Sequence, residues 1–180
     1  MEETIKILAD EFFALLNRSK QRQELIDGTL RDLDPCTVQH QQTVVAISNH
    51  IRRYINRSEH AGTVLPFCCS RMDQHNVLFP DIQVTLQTVP ENSICFEGVP
   101  DWIIEVVSSD APGDYFEKLA LYKNLGVREY WIVNPVRKQT TVLYPESETA
   151  QVNLYEFEQS VPVGIYKEMP DPLEICIEAL

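Results

Sequence analysis

Between Asp101 and Val133 two short apolar runs enclose one amphipathic stretch, and that pattern restricts the fold more than any other feature of the sequence. DWIIEVV and VREYWIV have the nearly continuous apolar character of buried strands. Between them SSDAPGD carries a helix-start signature, YFEKLALYKNL continues the helix, and Gly126 ends it. Strand, helix and strand in that order make a βαβ unit, whose strands run parallel with a right-handed crossover. The expectation is an α/β fold.

The rest of the chain supplies elements to surround that unit. Ile5, Leu8, Phe12 and Leu15 recur at helical spacing and predict an amphipathic helix over 4–17, packed on the core. In QELIDGTLRDL two apolar runs flank Asp27-Gly28, the dipeptide suited to a type I′ hairpin turn. From Val38 to His60 the period returns to 3.6, with Val44, Ile47, Ile51, Tyr54 and Ile55 in one stripe. TVLPFCC and NVLFPDIQVTL read as two paired strands, 87–98 as a polar loop, and TTVLY, VNLYEF and LEICIEAL as short β or amphipathic segments. At 180 residues one domain is expected, with an N-terminal helix over 1–20, a catalytic core over 21–135 and a β-rich extension over 136–180.

Charge and cysteine content exclude several classes. The formal net charge of −12 argues against a general nucleic-acid binder, and it is uneven. Residues 1–90 hold 9 basic and 11 acidic side chains, whereas 91–180 hold 6 and 16, so a polyanion should meet the N-terminal half. Cys36, Cys68, Cys69, Cys95 and Cys176 are odd in number and lack metal-ligand spacing, so neither a disulfide framework nor a zinc site is indicated. A reducing cytoplasm fits, and no apolar run approaches the length of a membrane span.

Two charged residues interrupt the apolar runs. Asp81 breaks VLFP-D-IQV and Glu105 breaks WII-E-VV, and an ionised carboxylate in a strand core costs several kcal/mol unless it is compensated. If those strands pair, both carboxylates face one spot and offer the hard oxygen ligands that suit Mg²⁺ or Mn²⁺. Lys118 lies on the following helix, on one face with Asp114 and Tyr122, as a nearby cation or as half of a surface Asp114–Lys118 pair.

The order Pro80-Asp81, Glu105-Val106-Val107-Ser108, Asp114, Lys118, Tyr122, Gly126-Val127 and Glu129-Tyr130-Trp131 resembles the Uma-two family, restriction-endonuclease-like members of the PD-(D/E)XK nuclease superfamily. The likeness begins at Gln23-Glu24-Leu25-Ile26-Asp27-Gly28 and runs through His40 to Leu173–Leu180. It implies a restriction-endonuclease-like three-layer core, a central mixed β-sheet flanked by helices, with Asp81 and Glu105 as metal ligands and phosphodiester hydrolysis as the reaction. The usual superfamily pattern has a lysine two residues after the glutamate, where this chain has Val107. Members of the Uma-two family commonly carry an apolar residue there and a lysine on the next helix, so the resemblance assigns that role to Lys118. Glu24 matches the family's N-terminal glutamate, a ligand or a base that positions water. His40 matches the family histidine, and its neutral imidazole is either a contact to a phosphate or to a carboxylate of the site, or a satisfied structural histidine.

Nucleic acid, DNA first, is the implied substrate, with Mg²⁺ or Mn²⁺ as cofactor and a homodimer as a way to present more positive charge. Arg53, Arg57 and His60 form the basic strip on the helix over 38–60, either a backbone-contacting surface or a solvated helix face. Tyr122, Tyr130 and Trp131 read as core rather than as a base-stacking platform. The alternative to an enzyme is a non-catalytic domain that keeps the nuclease fold as a protein-interaction or regulatory module. The two differ in whether Glu24, Asp81, Glu105 and Lys118 converge.

Overall fold

The computed structural model describes residues 6–16, 21–58, 62–107, 113–145 and 151–180, with the side chains of 113–117 also outside the description. In chain order the elements are α1 (Ala9–Leu16), β1 (Gln23–Ile26), β2 (Thr29–Asp32), α2 (Val38–Ser58), β3 (Thr63–Pro66) and β4 (Ser70–Arg71). They continue with β5 (Val77–Leu78), β6 (Ile82–Thr85), β7 (Phe96–Glu97), β8 (Trp102–Val106), α3 (Gly113–Leu125) and β9 (Glu129–Asn134). The chain closes with β10 (Gln139–Leu143), β11 (Val152–Glu156), β12 (Val161–Pro162), a 3-10 turn at Gly164–Tyr166, and β13 (Glu174–Ile175).

The main sheet has the order β11-β10-β9-β8-β6-β3, with β8 and β9 parallel and the remaining neighbours antiparallel. β8, α3 and β9 are the βαβ unit expected from the sequence. Alternation along β8 divides the core: Trp102, Ile104 and Val106 pack with the Val44–Ile55 stripe of α2, while Ile103 packs with Leu121, Tyr122 and Tyr130 on the α3 side. Helix, mixed sheet and helix therefore form three layers. Tyr122, Tyr130 and Trp131 are fully buried, as expected of core residues.

A second sheet, β2-β1-β5-β4-β7, stands beside the first. Its hairpin turns at Asp27 (φ 48°) and Gly28 (φ 75°), the two positive φ angles of a type I′ turn. The segments expected to form one strand pair are each broken in two. β3 pairs with β6 in the main sheet and β4 with β5 in the second, because Phe67 takes a left-handed φ of 52° after Pro66 and Pro80 cannot donate to a ladder. Asp81 thus sits at the bend before β6, not inside a strand as the sequence suggested.

Three further expectations are corrected. α1 begins at Ala9 and buries Ala9 and Phe12, leaving Leu8 and Leu15 substantially exposed, because its seat on β1 selects the 9, 12 and 16 face. The loop over 87–98 contains β7, parallel to β4. That pairing sets Cys69 beside Cys95, and the two form a disulfide where none was expected.

The β-rich C-terminal part is locked to the sheet by a buried carboxylate. Glu129 accepts hydrogen bonds from Trp131 Nε1 (2.8 Å) and the backbone N–H groups of Gly164 (3.0 Å) and Ile165 (2.9 Å). Any side chain at 164 would bring its Cβ to 2.6 Å from the Tyr144 ring, so the latch needs glycine there.

Candidate active site

Glu105 is carried on the α3 face of β8, where the strand alternation sends residues 103 and 105. Lys118 and Tyr122 stand one turn apart on α3 and both reach it: Lys118 Nζ donates to Glu105 Oε1 at 3.0 Å and the Tyr122 hydroxyl donates to the same oxygen at 2.8 Å. The first turn of α3, with Asp114, lies among the side chains not described, so the surface-pair alternative falls outside the described residues.

Glu24 comes from the second sheet. It is 2% exposed; its Oε1 accepts the Phe79 backbone N–H at 2.9 Å and its Oε2 lies 3.4 Å from Lys118 Nζ. The ammonium thus spans two carboxylates from different sheets, 3.0 and 3.4 Å away.

Asp81 enters from the bend before β6. Its Oδ2 accepts the Val106 backbone N–H at 2.8 Å and lies 2.9 Å from His40 Nε2. The β6–β8 register, Ile82 opposite Ile104, brings residue 81 beside Glu105 when extended by one step. His40, at the start of α2, is buried behind Asp81, so of its two expected partners it meets the carboxylate. The bonds to Asp81 fall on Oδ2 and those to Glu105 on Oε1, leaving one oxygen of each outside them.

The electrostatics follow from this crowding. Burial, the largest influence, pushes the Glu105 carboxyl up to about 7; Lys118 opposes that shift, and Asp81 and Glu24 reinforce it. For Lys118, burial disfavours the charge, but Glu105 and Glu24 outweigh it and hold the ammonium well above its ordinary range. Burial, then Glu105, keeps Tyr122 a neutral phenol and a donor. One cleft of about 920 Å³ contains Glu24, Asp81, Glu105, Lys118 and His40.

The donor chemistry suits a hard divalent ion, with three carboxylates in one cleft and two of their oxygens outside these bonds. Among the described residues, however, no three His, Cys, Asp or Glu side chains are drawn together as a metal cage. Lys118 supplies the positive charge between Glu24 and Glu105.

Arg53 and Arg57 are not part of this cleft. They line a separate hollow with His50, Tyr54 and Pro172–Glu174, and Arg53 is roughly 20 Å along α2 from His40 at 1.5 Å per residue. His60 falls outside the described residues. The cationic residues that do line the cleft, besides Lys118, are Arg22 and Arg31, which the sequence reading did not select. Tyr122 was placed on the right helix face but given no part in the site. Among the described residues no helix is long and apolar enough to cross a membrane.

Residues 9–168 match the sequence model of the Uma2 family, whose description is "Putative restriction endonuclease". Among solved structures, the chain is similar to a crystal structure titled as a "putative nuclease belonging to DUF820" from Anabaena variabilis. The TM-score is 0.78 and the identity 19%, over 96% of this chain and 96% of that one. That likeness is one of fold. No match is found among curated proteins.

Proposed function

The chain belongs to the Uma2 family of restriction-endonuclease-like proteins, and on that premise we propose that it is a Mg²⁺- or Mn²⁺-dependent nuclease hydrolysing phosphodiester bonds of DNA. The observation that carries this reading is the seat of Lys118, whose ammonium lies within 3.4 Å of both Glu24 and Glu105 in the cleft that also holds Asp81. A lysine two residues after Glu105 is missing, and Lys118 occupies the equivalent chemical position from the next helix. Asp81 and Glu105 would hold the metal through the oxygens left outside their hydrogen bonds, with Glu24 held beside them by Lys118. When bound, a divalent ion neutralises phosphate oxygens, lowers the pKa of water and stabilises the leaving oxygen.

The chain's own residues supply the rest. Lys118 offers a fixed positive charge to the charge that develops on the phosphoryl group. Tyr122 and Lys118 hold Glu105 in one orientation, and His40 and the Val106 N–H do the same for Asp81. A module kept only for protein contacts would have no use for Glu24, Asp81, Glu105 and Lys118, two buried and two half-buried, gathered in one cleft.

The test is cleavage of plasmid, linear duplex and single-stranded DNA with Mg²⁺ or Mn²⁺ against EDTA. Asp81→Ala should abolish metal-dependent cleavage. Lys118→Met should lower the rate about 10²-fold while leaving Mn²⁺ affinity, read by calorimetry, within a few-fold. A wild-type protein inert on all three substrates, or Lys118→Met at full rate, overturns the reading.

A further inference from the structure

The hairpin that delivers Glu24 also delivers charge to the mouth of the cleft. In the β1–β2 register Glu24 lies opposite Arg31, and paired residues of an antiparallel ladder project from the same face. Arg22 is two residues before Glu24 and so shares that face. Arg22, Glu24 and Arg31 all line the cleft, Glu24 buried and the two arginines exposed. Diagonal neighbours of this kind have Cβ atoms about 7–8 Å apart, which brings two guanidinium groups to one side of the buried carboxylate.

Neither arginine makes an ion pair among the described residues, although the chain holds 27 acidic side chains. Three of the carboxylates around them are already engaged, and neither Asp27 nor Asp34, also in the lining, forms an ion pair with them among the described residues. Glu24 is taken by Phe79 N–H and Lys118, Asp32 by the Gln23 amide at 2.7 Å, and Asp73 by the Asn76 amide and His75 N–H. Two like charges on one face, neither in an ion pair among the described residues, are available to an external anion, and guanidinium binds phosphate oxygens in a bidentate fork.

We infer that Arg22 and Arg31 form a phosphate clamp at the cleft mouth, gripping the polynucleotide backbone on either side of the bond presented to Glu24, Glu105 and Lys118. This rests on the nuclease reading. It places the positive contact surface on the β1–β2 hairpin rather than on the Arg53–Arg57 face of α2. Seven acidic side chains line the same cleft, so the clamp provides the positive charge that lets a polyanion approach.

The experiment is fluorescence anisotropy of a labelled 20-base-pair DNA duplex in Ca²⁺, titrated from 50 to 200 mM NaCl, with the wild type, Arg22→Gln/Arg31→Gln and Arg53→Gln/Arg57→Gln. Arg22→Gln/Arg31→Gln should bind on the order of tenfold more weakly and lose up to about two units of salt slope, at about 0.9 per phosphate contact. Each single glutamine variant should lose about one unit, which keeps the result readable if the double variant folds poorly. An unchanged slope in the Arg22/Arg31 variants, or a loss confined to Arg53→Gln/Arg57→Gln, overturns the clamp while leaving the nuclease reading intact. A wild type that binds no DNA overturns both.

Discussion

Two buried glutamates stand on adjacent parallel strands of the same sheet and have opposite surroundings. Glu129, on β9, has both oxygens filled by donors that carry no charge, an indole N–H and two backbone N–H groups. Glu105, on β8, has one oxygen filled, and by groups that titrate, Lys118 and Tyr122, within an open cleft. Burial is the largest influence raising the pKa of both, and at Glu105 the neighbouring Asp81 and Glu24 add to it. The difference teaches that a buried charge becomes informative through the kind of partner it has: neutral donors on both oxygens make a latch, and a charged donor on one oxygen, with the other open to a cleft, marks a candidate reactive centre.

The sharpest way to break the comparison is to neutralise Glu105. Glu105→Gln keeps an acceptor for Tyr122 and Lys118 and removes the ligand charge, so DNA cleavage should fall by about 10³-fold or more, roughly 4 kcal/mol in barrier. The urea midpoint should move little. A variant that cuts at the wild-type rate would return Glu105 to the structural class.

Glu129→Ala is the mirror test. It strands Trp131 Nε1 and the N–H groups of Gly164 and Ile165 in the interior, and at about 1–3 kcal/mol for each unsatisfied donor the stability loss should be at least about 3 kcal/mol. Cleavage measured where the variant stays folded should be near the wild-type rate. An equally stable Glu129→Ala would show that the latch carries no energy.

The third effect is in pH. Glu105 keeps its proton to about pH 7 in the folded protein, against an ordinary value of 4.5, so the folded state binds more protons than the unfolded chain between those values. The contribution of Glu105 to stability therefore falls as pH rises from about 4.5 to about 7 and levels off above it. Urea denaturation across that window should show a shallower fall in Glu105→Gln than in the wild type. Mn²⁺ affinity, conversely, should rise through pH 7 as the competing proton leaves. Parallel stability curves for the two proteins would mean that Glu105 is ionised throughout.

Much of this was legible in the sequence because it depends on near neighbours. Asp27-Gly28 announces its own positive φ pair, the Val44–Ile55 stripe names the face of α2, and Lys118 reaches Glu105 because α3 follows β8 directly. The features that escaped depend on register between distant segments. Arg31 comes into view as a cleft residue only once Glu24 is known to sit opposite it. Asp81 lies outside a strand because Pro80 and the left-handed Phe67 interrupt two ladders at once. Cys69 meets Cys95 through a two-residue parallel pairing that no local pattern announces.

That last contact divides the cleft into two kinds of connectivity. The bond closes residues 69–95 into a covalent ring, with a sequence separation of 26, and the ring contains Asp81, the Phe79 N–H that holds Glu24, and the strand that supports the hairpin. By chain entropy such a ring excludes unfolded conformations worth about 3.5 kcal/mol. Glu105 and Lys118 lie outside it, joined to the ring by packing and hydrogen bonds alone. Thiol reductant therefore reaches the cleft from the Asp81 side, whose ring it opens, whereas the Glu105 and Lys118 side has no covalent cross-link for it to cut.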